Sequence, residues 1–424
     1  MAKRCLIVSY YFPPTGGGGV QRISKLIKYL SKDNWEFSVL TAENEPAALP
    51  DDDSLLKEIP AQTKIYRVKI PGSHHTKGSL KGKIKSGFLV RWISSFIFIP
   101  DARKNWLEPA REKIFEILKD NKIDIIIITA PPYSLELLAA GLTKKLSIPV
   151  VVDLRDPWTT NPYKIHPSKW HFYKDRKLEI KAVSDIKYGV AAYRSQIDFY
   201  KTQISGFRSN NWEYIPNGYD SQDFENLKVE QLDPQKLHLA FSGTFYSHIN
   251  RPQFLFKAIA SLPADLKEKI CFHHIGDAVV DLEKIAKDLD IQENIRTWGY
   301  QNHKRCLEIL AGMDAYCFIL DSKNNNSGNT IGGKVYEYIK LRKPILALVP
   351  EQGEASDLIS LTKSGKVIDP YKTNEIKELL TLWIKQKPIL KNTTDFPEFE
   401  RFELARKYAK FMNDVISDNQ KSKD

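Results

Sequence analysis

A chain of 424 residues exceeds what one core supports and suits two domains of roughly 200 residues each. Its hydrophobic fraction of 42% is ordinary for a globular protein, and no apolar run approaches the roughly 18 residues of a membrane span. The net charge of +11 is concentrated in the first half: residues 1–216 carry 34 basic against 22 acidic residues, and residues 217–424 carry 29 against 30. A basic half leaves nucleic acid, an anionic membrane face and phosphorylated substrates open as partners. Four cysteines (Cys5, Cys271, Cys306, Cys317) show no metal-type spacing and suit a reducing cytoplasm.

The start, MAKRCLIVSYYFPP, has about seven apolar residues and no small-residue cleavage site, so it reads as a strand rather than a signal peptide. Strand Lys3–Ser9 is a near-continuous apolar run, as in a parallel sheet covered on both faces. Four glycines, Gly16 to Gly19, lead into an amphipathic helix, Val20–Ser31, with Val20, Ile23, Leu26, Ile27 and Leu30 on one face. Strand, glycine loop and helix bring backbone close to a phosphate or sugar. The run is neither a GxGxxG with a later acid nor a P-loop, which disfavours a plain dinucleotide or ATP site; a mobile loop without a special role is the alternative.

Strands Trp35–Thr41 and Lys64–Lys69 follow, and Asp51-Asp52-Asp53 between them reads as a solvated loop rather than a metal signature. Residues 77–99 place Lys77, Lys81, Lys83 and Lys85 ahead of Phe88, Trp92, Phe96 and Phe98. This is either an interfacial helix on an anionic membrane or a core helix with a lysine-rich lead-in. No standard nucleic-acid motif is present.

Helix Leu107–Lys119 precedes strand Ile123–Thr129, which ends near Tyr133 and Ser134 before helix Leu135–Leu146. Strand Ile148–Val152 ends in DLRDPW, Asp153 to Trp158. Ligands of open parallel sheets sit beyond the carboxyl ends of strands, so Tyr133, Ser134, Asp153, Arg155, Asp156 and Trp158 mark a candidate cleft. For Asp153, Arg155 and Asp156 a structural ion-pair cluster is the alternative. A charged helix over 168–186, strand Tyr188–Ala192 and helix Ser195–Thr202 come next. A strand halted by Pro216 and a turn at Asn217-Gly218 coincide with the change in charge and mark the domain boundary.

The second half is another α/β series. Strands Leu237–Ser242, Ile270–Ile275, Ile295–Trp298 and Ala315–Leu320 alternate with helices Pro252–Leu262, Asp281–Leu289 and Lys304–Leu310. The polar, glycine-punctuated loop Asn324 to Gly333 then runs into a short helix and a strand beginning near Pro344. A helix N-terminus adds roughly half a positive charge, so this junction can hold a diphosphate without a metal. Lys334 and Glu337, three apart on one helix face, suit phosphate oxygens and sugar hydroxyls respectively. An ordinary loop–helix–strand connection is the alternative. Helices Glu354–Leu361 and Thr373–Lys385, with strand Lys366–Ile368 between them, and a final helix, Arg401–Ile416, complete the chain.

In order and spacing, SYYFPPTGGGGVQR, IPNGYD at 215–220, the stretch 324–350 and the last helix resemble the family 4 glycosyltransferases of the GT-B fold. The resemblance covers nearly the full length. It implies an α/β architecture of two doubly wound Rossmann-like domains facing a central cleft: 1–216 on the acceptor side, 217–400 binding the nucleotide sugar, and a helix from 401 crossing back to the first domain. It implies a retaining, hexosyltransferase-type enzyme of surface polysaccharide synthesis with a nucleotide-diphosphate sugar as co-substrate. No metal or other cofactor is expected, nor a nucleic-acid partner. The acceptor would be a glycan or lipid-linked sugar, met in the cytoplasm or at the inner membrane face.

By the same resemblance, Glu337 would hold the ribose hydroxyls. Arg251, Lys334 and the backbone of Thr330, Ile331, Gly332 and Gly333 would stabilise the diphosphate, beside Gly243 and Thr244. Gly17, Gly18 and Gly19 would close over it. Asn329 would face the donor sugar, where the family carries a glutamate, and Gly243-Thr244 replaces the family's Gly-Arg. Asp153, Arg155 and Asp156 would position the acceptor, with Tyr133, Ser134 and Trp158 beside them. Glu337→Ala is expected to lower donor affinity and turnover together while leaving thermal unfolding nearly unchanged. The rival readings are a nucleotide-sugar epimerase of the same architecture and a non-catalytic basic binding protein.

Overall fold

The computed structural model describes residues 2–43, 53–71, 95–392 and 394–421. Most of the basic-apolar segment 77–99 lies outside these residues, as do Asp51 and Asp52. Asp53 opens a short helix, Asp53–Lys57, where a loop was expected. Contacts divide the chain into one unit of Met1–Thr160, Lys164–Asn217 and Glu398–Asp424 and another of Asn161–Tyr163 and Gly218–Pro397.

The first unit is built on seven strands: β1 (Lys3–Ser9), β2 (Trp35–Glu43), β3 (Lys64–Lys69), β4 (Ile125–Ala130), β5 (Val150–Leu154), β6 (Tyr188–Ala191) and β7 (Trp212–Tyr214). They pair in the order β3-β2-β1-β4-β5-β6-β7, every neighbour parallel. Parallel strands need helices on both faces, which is why β1 and β4 read as unbroken apolar runs. Leu6, Val8, Ile126 and Ile128 face one core, and Cys5, Ile7, Ile125 and Ile127 face the other. Each fully buried isoleucine contributes about 2–3 kcal/mol. The edge strand β3 keeps Lys64, Arg67 and Lys69 exposed, which discourages pairing with another chain.

Helix Gly18–Leu30 begins two residues earlier than its apolar pattern suggested. Gly17 takes a φ of 111°, which only glycine adopts readily, and Gly18 and Gly19 form the first turn. The last helix, Arg401–Lys421, runs five residues beyond the expected end and packs on helix Gly18–Leu30. Its Leu404, Tyr408 and Met412 join the core containing Ile23 and Ile27. Lys407 donates to the Tyr214 carbonyl at 2.6 Å.

The second unit has six strands: β8 (Leu237–Ser242), β9 (Ile270–Ile275), β10 (Ile295–Thr297), β11 (Ala315–Ile319), β12 (Ile345–Leu348) and β13 (Gly365–Ile368). Their order is β10-β9-β8-β11-β12-β13, again parallel. In each sheet the order reverses once, between β1 and β4 and between β8 and β11. Crevices for ligands open at the carboxyl ends of strands at such reversals. Both units are therefore doubly wound α/β layers.

Candidate functional site

In the second unit the reversal brings together the loop after β8 and the loop after β11. Gly243 leaves β8 with φ 141°, and its carbonyl accepts from His274 Nε2 at 2.9 Å. A Cβ on Gly276, which follows β9, would stand 2.6 Å from the Gly243 carbonyl oxygen, so the loops after β8 and β9 touch backbone to backbone. Asn250 fixes the following turn: it accepts from the Tyr246 amide and donates to the Thr244 carbonyl, both at 2.7 Å.

After β11, Asn324 to Gly333 leads into helix Lys334–Leu341. No side chain caps this helix, and Gly333 at its start is exposed. Uncapped first-turn amides at a positive helix end accommodate an anion. Tyr338 anchors the helix beneath β8, its hydroxyl accepting from the Ser242 amide at 2.7 Å. That contact aims the first turn at the crevice.

Glu337, on this turn, is 6% exposed. It accepts from Lys334 Nζ at 2.9 and 3.2 Å and meets His303 Nε2 at 3.1 Å. Burial alone would raise this carboxyl; the Lys334 ammonium and His303 outweigh it and hold it at about 2. The Lys334 ammonium is lowered by burial but raised more by Glu337, so its charge is secure. Its side chain keeps 32% of its surface open. The two residues proposed for sugar and phosphate thus begin as partners of each other.

His303 was not among the sequence candidates. It opens helix His303–Ala311, which Asn302 caps through the Arg305 amide. Its Nδ1 lies 3.9 Å from Asp223. Asp223 sits in the 3-10 turn Ser221–Phe224 that Asp220 caps, so the NGYD motif serves this site through the turn it starts. No local signal marks His303, because its partner Glu337 lies 34 residues away.

Arg251 Nη2 donates to Asp321 at 2.6 Å and to the Tyr371 hydroxyl at 2.8 Å, and Tyr371 donates to Asp321 at 2.9 Å. Its Nε is buried with no hydrogen-bond partner among the described residues. Asn329 ends the 3-10 turn Ser327–Asn329. Thr330 and Ile331 are both 4% exposed, so the Ile331 side chain belongs to the core and only its backbone can serve a ligand.

In the first unit the candidates separate. Asp153 is fully buried and bonded to Arg22 at 2.9 Å and Thr129 at 2.9 Å. Arg22 also donates to the carbonyls of Ile215 and Pro216. The expected acceptor contact is thereby corrected: Asp153 ties helix Gly18–Leu30 to β5 and the end of the unit. Trp158, also fully buried, donates to Asp175 at 2.8 Å and stacks on Tyr133, so it cannot touch an acceptor. Ser134 is likewise buried, its amide and hydroxyl both donating to Asp101. Arg155 and Asp156 remain at the β5 end. Arg155 donates to the Pro131 carbonyl. Its Nη1 occupies the space of a Cβ on Gly19. Burial lowers the Arg155 guanidinium and raises the Asp156 carboxyl.

Cys271, unpaired by spacing, stands with His238 and His273 at the opposite, amino-terminal ends of β8 and β9, their ligand atoms within 4.8 Å. Trp298 Nε1, a donor only, points at His273 Nδ1 at 3.1 Å. His273 Nε2 must therefore carry the proton toward His238 Nδ1 at 2.9 Å, and His238 Nε2 donates to the Asp233 carbonyl at 2.8 Å. A metal-bound histidine presents its second N–H to an acceptor; here that nitrogen faces a donor, so the group fits a hydrogen-bonded chain rather than an ion.

Residues 222–396 match the family model of glycosyl transferases group 1. No curated protein sequence matches the chain. Among solved structures, WaaG, described as a glycosyltransferase involved in lipopolysaccharide biosynthesis, is 15% identical over 99% of this chain and 98% of its own, with a TM-score of 0.57. Anabaena HepE in complex with UDP and glucose is 13% identical over 98% and 97%, TM-score 0.60. Sucrose-phosphate synthase of Thermosynechococcus elongatus is 10% identical over 98% and 99%, TM-score 0.70. At these identities the likeness establishes the fold. Residues 222–396 are thus similar to the glycosyl transferases of group 1, and the chain as a whole has the GT-B fold of these solved neighbours.

Proposed function

We propose that the enzyme moves a sugar from a nucleotide-diphosphate sugar to a glycan or lipid-linked acceptor of surface polysaccharide synthesis, with retention and without a metal ion. The observation that carries this reading is Glu337, a buried, ionised carboxylate at an uncapped helix start, with Lys334 paired to it and one-third open to solvent. A carboxylate kept charged at neutral pH accepts from two ribose hydroxyls at once. Lys334 turns from Glu337 to the diphosphate, and the Gly332 and Gly333 amides and Arg251 join it there. These groups stabilise the negative charge that develops on the leaving diphosphate. Thr244 and Gly243 border the same phosphates, and Asn329 faces the sugar. Arg155 and Asp156 serve the acceptor side.

Support for the co-substrate comes from the HepE neighbour, whose description names UDP and glucose, and support for the pathway comes from WaaG. The test is a transfer assay over nucleotide sugars and glycan or lipid-linked acceptors. Nucleoside diphosphate should be released only with acceptor present. The product should keep the donor's anomeric configuration by NMR, and a chelator should leave the rate unchanged. An isomerised sugar nucleotide formed without acceptor would overturn the reading.

A further inference from the structure

We infer that the outer face of helix Lys169–Asp185 docks on an anionic lipid surface. Six of its seven exposed positions, Lys169, Trp170, Tyr173, Lys174, Lys177 and Lys181, recur three or four apart and form one stripe. Trp170 is 60% and Tyr173 66% exposed. Exposed helix positions are ordinarily charged or small, so two large amphipathic rings one turn apart need a partner.

The charge on this face has one sign. The helix holds three acids, and two of them point inward: Asp175 to Trp158 and His166, Glu179 to Thr159 and Tyr200. The third, Asp185, lies at the far end, paired with Lys144 at 2.7 Å. Four lysines therefore face solvent with no carboxylate of this helix among them. Lys169 stands in the first turn of the helix, which has no acid. That placement opposes the helix dipole, and an external anion offsets it.

The rings sit among these charges as they would at a headgroup boundary. Lys174 Nζ lies 4.7 Å from the Trp170 ring, its stem along the indole. Next to the stripe, Phe96 and Ile97 are 54% and 60% exposed; His171 Nε2 meets the Phe96 carbonyl at 3.2 Å and its ring lies 4.8 Å away. Apolar insertion together with lysine charge is the pair of signals that stable peripheral binding requires. The inference assumes nothing about the sugar-transfer site.

The test is sedimentation of the full chain with phosphatidylcholine vesicles, with and without phosphatidylglycerol. Wild type should sediment only with the anionic vesicles. Lys174→Gln/Lys177→Gln/Lys181→Gln should weaken binding on the order of a hundredfold, about fivefold per lysine. Trp170→Ala/Tyr173→Ala should weaken it about tenfold or more. Neither variant should move the unfolding midpoint, because these side chains are exposed. Leu382→Ala, removing an exposed leucine of the second unit, should bind as wild type does. Wild type failing to sediment, either multiple variant binding normally, or the stripe holding duplex DNA in place of vesicles would each overturn the inference.

Discussion

At Glu337 one carboxylate serves both stability and ligand binding, and the two can be separated by substitution. Its near-complete burial against Lys334 and His303 argues against the expectation that alanine would leave thermal unfolding nearly unchanged. Breaking a buried pair leaves an unmatched cation; with Lys334 one-third open, Glu337→Ala should cost roughly 2 kcal/mol in denaturant unfolding. Glu337→Gln keeps the shape and removes the charge. It should weaken donor binding by roughly 10–100-fold, the value of a charged hydrogen-bond acceptor, measured by titration calorimetry. The sign with pH follows from the depressed carboxyl. The unfolded state binds the Glu337 proton near pH 4.3 and the native state only near about 2. Its stabilisation is complete above roughly pH 5 and disappears as the pH falls through that interval. Unfolding midpoints of Glu337→Gln should lack this part of the acid dependence.

Among the structural elements, two buried polar knots hold strands in place. Asp153 binds Arg22 across 131 residues, and Arg22 reaches the Ile215 and Pro216 carbonyls. Asp153→Ala should therefore destabilise the first unit by about 3–5 kcal/mol. Normal stability with lost turnover would instead make Asp153 a reaction residue. In the second unit, burial, His238 and Arg296 lower His273 to about 3, and burial also lowers His238. A base with a depressed native pKa leaves the unfolded state to take up the proton, so native stability falls as the pH drops below about 6.5. Trp298→Phe removes the donor facing His273 Nδ1 and should lessen that fall, read from unfolding midpoints across pH.

Across the whole molecule, β1, β8 and β9 and helix Thr373–Lys385 were legible to the residue, because apolar runs bounded by polar segments specify parallel strands and amphipathic helices directly. The first turn of helix Gly18–Leu30 was not, since glycines carry no apolar period. Lys334 and Glu337 could be placed on one helix face from spacing alone. His303, Asp223 and the partner of Asp153 could not, because strand order brings them together over long separations. We propose that the second unit holds a nucleotide-diphosphate sugar through Glu337. Thermal unfolding with UDP, GDP, ADP and their sugars tests it most directly, for wild type and Glu337→Gln together. A ligand at a hundred times its Kd adds about 2.7 kcal/mol to the native state, several degrees in midpoint. One nucleotide series should raise the wild-type midpoint by that amount and that of Glu337→Gln by far less. No shift with any nucleotide, or an equal shift in both proteins, would contradict it.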